Sequence, residues 1–394
     1  MTLSVLPEVS PESVGLNPER LARLSAVMAR QVEDRKAPGL SLLIARHGKI
    51  AYRDFIGLLR PGGPPMAEDA IFRIYSMTKP IVSVAAMTLV EEGRLLLSDP
   101  AAKYLPTFAE TKVGVERNGE IELKPPERPV TVLDLMRHTS GLTYGFLGLT
   151  RIHRMTHEAH ILSQDRSMDE HMSVLAGVPL LRSPGLAWEY SHSTDVLGRI
   201  VEIVAKMSLG QLLAERIFAP LGMEDTAFHT PTTKVHRRAE PFSMDSTHAA
   251  NVDTVDATAP PRNEFAGTGL VSTLGDYARF SAMLLGRGAL GGVRILSPRV
   301  VDAMTTDHLG ARVIGQSPLL EPGHGFGLGF AVRLELGGPT ALGSVGEYKW
   351  GGWAGTGFWI SPRDSMFAIL MVQAPDFRDN LREIFRNLVY AALD

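Results

Sequence analysis

A chain of 394 residues, 44% hydrophobic and 21% charged, is long enough for one large domain or two ordinary ones with ample core. Its formal net charge of −3 and the lack of long basic runs argue against nucleic acid or an anionic membrane surface as a partner. There is no cysteine, so disulfides, thiolate metal sites, iron–sulfur clusters and cysteine nucleophiles are excluded.

The opening stretch Met1 to Glu8 lacks a basic segment followed by an apolar core and a small-residue cleavage site, and no apolar run approaches the roughly 20 residues that span a bilayer. A cytoplasmic protein is therefore expected. Residues 18 to 33 carry an amphipathic helical pattern with Pro18 directly after Asn17, a good cap. Residues 40 to 45 and 50 to 56 flank His47-Gly48-Lys49 and read as a β-hairpin. A Pro/Gly loop then leads to Ile74-Tyr75-Ser76-Met77-Thr78-Lys79-Pro80 and the apolar run Ile81 to Leu89, closed by Gly93. Proline is tolerated only in the first turn of a helix, which predicts a helix start near Ser76.

The charged stretch Glu116 to Arg128 reads as a surface excursion, and Val132 to Leu142 as a short helix ending in a Gly turn. Residues 150 to 176 are helical in pattern with weak apolar stripes, as in a surface subdomain or lid; residues 195 to 220 predict an amphipathic helix pair. Thr230 to Asn263 is polar and aperiodic and reads as a long loop. A helix over 276–285 follows, then strands over 326–336, 341–349, 356–360 and 366–373, and a final helix over about 379–392. Strands at both ends and helices between them predict an antiparallel sheet covered by the two terminal helices. The expected division is an α/β domain of residues 1–75 and 265–394, a mainly helical domain of residues 76–264, and a cleft between them.

Ser76 and Lys79 lie three residues apart and so share one face of the predicted helix. The helix start leaves N–H groups unpaired beside them, with partial positive charge where an acyl oxyanion would develop. A serine hydroxyl is a weak nucleophile until a base takes its proton. An amine serves as that base only when neutral, and lowering an ammonium pKa from about 10.4 to near 7 requires about 4 to 5 kcal/mol of differential stabilisation. Ser-x-x-Lys alone is also consistent with a capping serine and a surface lysine. No Gly-x-Ser-x-Gly occurs, which argues against a nucleophile-elbow hydrolase.

Further stretches give the motif its context: Pro184-Gly185 to Trp188-Glu189-Tyr190-Ser191-His192, Lys349-Trp350-Gly351-Gly352-Trp353, Leu135 to Leu142, and Gly269 to Thr273 with Asp276-Tyr277-Ala278. In order and spacing the chain resembles, over nearly its whole length, the serine β-lactamase and penicillin-binding-protein superfamily. Within that superfamily it is most similar to the class C-like branch and the family VIII carboxylesterases. The resemblance implies an α/β fold of the α+β type, β-lactamase-like, with a central antiparallel sheet, terminal helices and an inserted helical domain. It implies Ser76 as nucleophile, Lys79 as partner base and Tyr190 as the tyrosine of a Tyr-x-Asn motif in which His192 replaces the asparagine. Trp350-Gly351-Gly352 stand where β-lactamases carry Lys-Thr-Gly, and the N–H groups of Ser76 and Trp353 would form the oxyanion hole. Trp350 in place of a cationic residue favours neutral esters over β-lactams, so Trp350, Gly351, Gly352 and His192 are expected to contact substrate.

The expected activity is a serine carboxylesterase for short-chain acyl esters, needing no cofactor or metal, with a small-molecule ester as its partner. A β-lactamase or D-Ala carboxypeptidase, an acyltransferase using the same acyl-enzyme, and a non-catalytic binding module remain as rivals. His153, His157 and His160 recur at i, i+4 and i+7 and suggest zinc, but no carboxylate is suitably placed nearby, and a solvated or pocket-lining face fits better. His138 and His324 are expected as structural hydrogen-bonding groups, Trp188 and Trp359 as core.

Overall fold

The computed structural model describes residues 6–242, 257–310, 313 and 319–394, so part of the expected Thr230 to Asn263 loop, and residues 1–5, lie outside the described residues. Seven strands form the main sheet: β1 (Gly39–Arg46), β2 (Lys49–Gly57), β3 (His324–Phe326), β4 (Ala331–Arg333), β5 (Tyr348–Gly351), β6 (Gly355–Ser361) and β7 (Met366–Gln373), in the order β2-β1-β7-β6-β5-β4-β3 with every pairing antiparallel. The hairpin near the N-terminus is thus zipped to the C-terminal strands through β1 and β7.

Side chains alternate across a pleated strand, and β7 shows the consequence. Met366, Ala368, Leu370 and Val372 pack under α1 (Pro18–Glu33) and the C-terminal helix Arg378–Ala391, whereas Phe367, Ile369 and Met371 join the larger cluster on the opposite face. Both faces are buried, which is why this strand reads as an unbroken apolar run rather than an alternation. Asn17 caps α1 as expected, its side chain accepting from the Arg20 N–H.

On the opposite face lie α2 (Thr78–Glu91), α3 (Ser193–Ala205) and α4 (Leu274–Leu285). Residues Thr78 to Leu89 of α2 are buried on every side, so this helix is a central pillar rather than a surface element. The largest apolar cluster is continuous across the two expected segments: Ile81, Leu197 and Leu212 share it with Phe358, Ile369 and Met371.

Several short elements differ from the sequence expectation. The helix expected to start near Ser76 opens with a 3₁₀ turn, Tyr75–Met77, and becomes α-helical at Thr78. The strand expected over 326–336 is instead the end of β3 and the whole of β4, folded back on each other around Gly327 and Gly329, and that expected over 341–349 begins only at Tyr348, as β5. The polar excursion contains a hairpin, Val113–Arg117 with Glu120–Lys124. Its turn is Asn118-Gly119, both at positive φ (50° and 81°), the signal that a two-residue hairpin turn demands. The helix Arg151–Glu158 ends before His160, so the three histidines do not share one helical face. Among the described residues no helix is long and apolar enough to cross a membrane.

Candidate active site

The strand Ile71–Arg73 pairs with Val271–Thr273 and delivers the chain to the 3₁₀ turn holding Ser76. Tyr75, immediately before the serine, has φ 43° although it is not glycine. Such a conformation costs on the order of 1–3 kcal/mol and persists only where packing fixes it. Here the Ile74 N–H donates to Leu270 O, the Gln373 amide to Arg73 O, the Tyr277 hydroxyl to Met77 O and the Thr356 hydroxyl to Ile74 O. The turn is thereby pinned from the sheet and from α4.

The first intrahelical bond runs from the Met77 N–H to Ile74 O, which leaves the Ser76 N–H ahead of the ladder. Lys79, 2% exposed, places Nζ 3.2 Å from Ser76 Oγ and 2.7 Å from Gly267 O. The Gly267 N–H in turn donates to Asp195 Oδ1 at 2.8 Å, and Asp195 Oδ2 lies 2.9 Å from His192 Nδ1. His192 thus sits at the far end of a relay of polar contacts that ends on the Lys79 amine. Asp195 shares the start of α3 with His192 at i, i+3, and its carboxylate is enclosed completely.

Tyr190, 5% exposed, lies with its ring centroid 4.6 Å from Lys79 Nζ. Its hydroxyl accepts from Trp350 Nε1 at 3.2 Å, and among the described residues it makes no direct hydrogen bond to Ser76 or Lys79. Behind it stand His138, with ring centroids 4.9 Å apart, and Trp188 at 6.2 Å. Burial, and after it the proximity of Lys79, holds His138 well below the ordinary imidazole value, so a neutral ring backs the tyrosine. His138 and the buried Trp188 and Trp359 take the supporting places expected of them.

Tyr144 was not foreseen. It follows the Leu135 to Leu142 stretch by two residues, its ring lies 5.4 Å from Lys79 Nζ and 4.3 Å from the His192 ring, and its buried hydroxyl has no partner among the described residues. Burial first, then Asp195 and Tyr190, pushes its phenol well above the ordinary value.

Opposite the serine turn, β5 brings in Trp350 and Gly351, and the turn that follows it Gly352 and Trp353. A Cβ at Gly352 would lie 2.4 Å from Ile74 O, so glycine here lets strand and serine turn touch. The turn after β5 is closed by the Gly352 N–H to Thr356 O and the Gly355 N–H to Gly352 O, and the Trp353 N–H takes no part in it. A cavity of about 620 Å³ is lined by Ser76, Tyr144, Phe146, Tyr190, Trp350 and Trp353 among others, within the usual size for a small-molecule site. His192 is not part of that lining; it reaches the site through Asp195 and Tyr144.

Fold and site together define a serine hydrolase of β-lactamase architecture. Residues 24–392 match the Beta-lactamase family model, and the chain belongs to that family. It is 37% identical over 338 residues to Protein Rv1367c of Mycobacterium tuberculosis, covering 83% of this chain and 82% of that one. It is 31% identical over 384 residues to Esterase EstB of Burkholderia gladioli, covering 92% and 93%. The solved structure of EstCE1, a hydrolase with promiscuous acyltransferase activity, superposes with a TM-score of 0.80 at 25% identity, over 95% of this chain and 99% of that one. The motif-based resemblance to family VIII esterases within the β-lactamase superfamily therefore holds.

Proposed function

We propose that the protein is a cytoplasmic serine carboxylesterase that hydrolyses short-chain acyl esters through an acyl-enzyme on Ser76. The observation that carries this reading is the buried Lys79 amine 3.2 Å from the Ser76 hydroxyl, within reach of proton transfer. Ser76 Oγ attacks the ester carbonyl while Lys79 takes its proton; the negative oxygen that forms is held by the N–H groups of Ser76 and Trp353. The alcohol leaves with a returned proton, and water, deprotonated with the help of Tyr190, releases the acid. Two such N–H donors contribute about 3 to 4 kcal/mol each in comparable acyl-transfer sites. The aromatic wall of Trp350 and Trp353 in place of a cation supports neutral esters as substrates.

Acyl transfer to an organic alcohol is the second reading, favoured by a cavity of about 620 Å³, more than a short acyl group fills, and by the similarity to EstCE1. The deciding experiment is hydrolysis of p-nitrophenyl acetate and butyrate by the unsubstituted chain and by Ser76→Ala, with thermal melting to check folding. Ser76→Ala is expected to lose turnover by more than about 10⁴-fold at unchanged Tm; undiminished turnover rejects the reading. Product partition with added alcohol separates transfer from hydrolysis.

A further inference from the structure

The helix Arg378–Ala391 touches the turn after β5 through two side chains, Arg378, whose guanidinium lies 4.4 Å from the centre of the Trp353 ring, and Arg382, which alone bonds its carbonyls. Its Nη2 donates to Gly352 O and, at 2.7 Å, to Thr356 O; its Nε lies 3.2 Å from both Gly355 O and Thr356 O. Among the described residues the carboxylate paired with it is Asp379, one turn back at 3.3 Å and 77% exposed, while Arg382 itself is 28% exposed. The neighbouring strands leave room for the guanidinium. A Cβ at Gly351 would lie 2.7 Å from Arg382 Cζ, and one at Gly357 3.2 Å from Nε.

Gly352 C=O and Trp353 N–H belong to one peptide unit, which is planar and trans, so the two bonds point in opposite directions. Holding the carbonyl against the guanidinium on the side of the C-terminal helix therefore turns the Trp353 N–H the other way, toward the serine turn packed against β5. A cation on the carbonyl oxygen also polarises the amide and makes its N–H a stronger donor. We infer that Arg382 is a positioning residue for the ester reaction: it fixes and polarises the Gly352–Trp353 peptide so that the Trp353 N–H binds the oxyanion. Burial lowers the Arg382 pKa to about 10, which leaves it charged at neutral pH.

The inference rests on the proposed acyl-enzyme reading and goes beyond it by assigning a residue outside the cluster around Ser76. It is tested with Arg382→Ala and Arg382→Lys on p-nitrophenyl acetate, with phenylboronic acid as a probe whose tetrahedral serine adduct places an oxygen in the oxyanion hole. Arg382→Ala is expected to lower kcat about 10- to 100-fold with KM within about twofold, and to weaken phenylboronic acid by a similar factor. Ethylguanidinium in the vacated space is expected to restore part of kcat, and Arg382→Lys to fall between. Should Arg382→Ala not fold, Gly357→Ala crowds the guanidinium by only a few tenths of an ångström, and a parallel severalfold loss in kcat and boronate affinity is expected. An unchanged kcat, or a lower kcat at unchanged boronate affinity, overturns the assignment while turnover that depends on Ser76 leaves the esterase reading standing. Absence of ester turnover and of boronate binding in the unsubstituted chain overturns both.

Discussion

Tyr190 is held through two different contacts, its ring against the Lys79 amine and its hydroxyl against Trp350 Nε1. The roles can be separated because Tyr190→Phe keeps the ring and removes the hydroxyl, while Trp350→Phe keeps the aromatic wall and removes the donor. A hydroxyl that moves a proton in acylation or deacylation is worth about 10²- to 10⁴-fold, so Tyr190→Phe should lower kcat on p-nitrophenyl butyrate by that much, with KM changed little. Trp350→Phe should lower it by less than about 10-fold. A kcat for Tyr190→Phe within threefold of the unsubstituted chain would remove Tyr190 from the mechanism. The meeting of Ser76 and Lys79 was legible in their spacing of three before a helix-compatible proline, whereas Tyr190, whose ring the structure sets against Lys79, was singled out through the family resemblance. Tyr144, Asp195 and Arg382 were not legible, because their contacts are with residues distant in sequence, Asp195 with Gly267 and Arg382 with Gly352. A lone arginine on an amphipathic helix carries no mark of the carbonyls it will meet.

Elements with long, regular patterns were read with their ends nearly right, as β7 and the C-terminal helix show. Short ones failed for physical reasons: Gly327 and Gly329 fold an apparent strand back on itself, and exposed ends on the Val113–Lys124 hairpin masked its alternation. The contact between β5 and the serine turn is the element-scale feature on which the site depends, and Gly352 lies at its closest point. A Cβ there would stand 2.3 Å from Thr356 Oγ1 and 2.4 Å from Ile74 O, and a backbone oxygen fixed by its neighbours cannot step aside. Gly352→Ala should therefore destabilise by about 1 to 3 kcal/mol and also move Trp353 away from Ser76, lowering kcat more than about 10-fold. Gly337→Ala, with nothing within 4 Å of the added carbon, is the control and should change neither. Urea unfolding and ester kinetics on both variants check this; a Gly352→Ala enzyme of full stability and full activity contradicts the close approach.

For the molecule as a whole, two buried groups set opposing responses of stability to pH. Asp276, 7% exposed at the start of α4, accepts from the Asp225 N–H and the Thr226 hydroxyl, but burial dominates and raises its carboxyl from 3.8 to about 6. His324, 3% exposed in β3, has no partner for Nε2 among the described residues and faces Lys349, Arg386 and Glu321; burial, then the Lys349 charge, lowers it from 6.5 to about 4. The folded state keeps the Asp276 proton longer than the unfolded chain does, so that contribution is complete below about pH 4 and is lost as pH rises through about 6. The folded state refuses the His324 proton, so its contribution is complete above about pH 6.5 and is lost as pH falls through about 4. Each shift spans about 2 units, on the order of 3 kcal/mol, and between pH 4 and 6 the two slopes nearly cancel. Removing one exposes the other. Relative to the unsubstituted chain, Asp276→Asn should gain stability as pH is raised from 4 to 6, because the ionisation penalty has gone. Over the same interval His324→Gln should gain stability as pH is lowered. Differential scanning calorimetry of the three proteins at half-unit pH steps reads these differences directly, since groups common to all three subtract out. Parallel Tm–pH curves for the unsubstituted chain and either variant would mean that the group replaced titrates alike in the folded and unfolded chain.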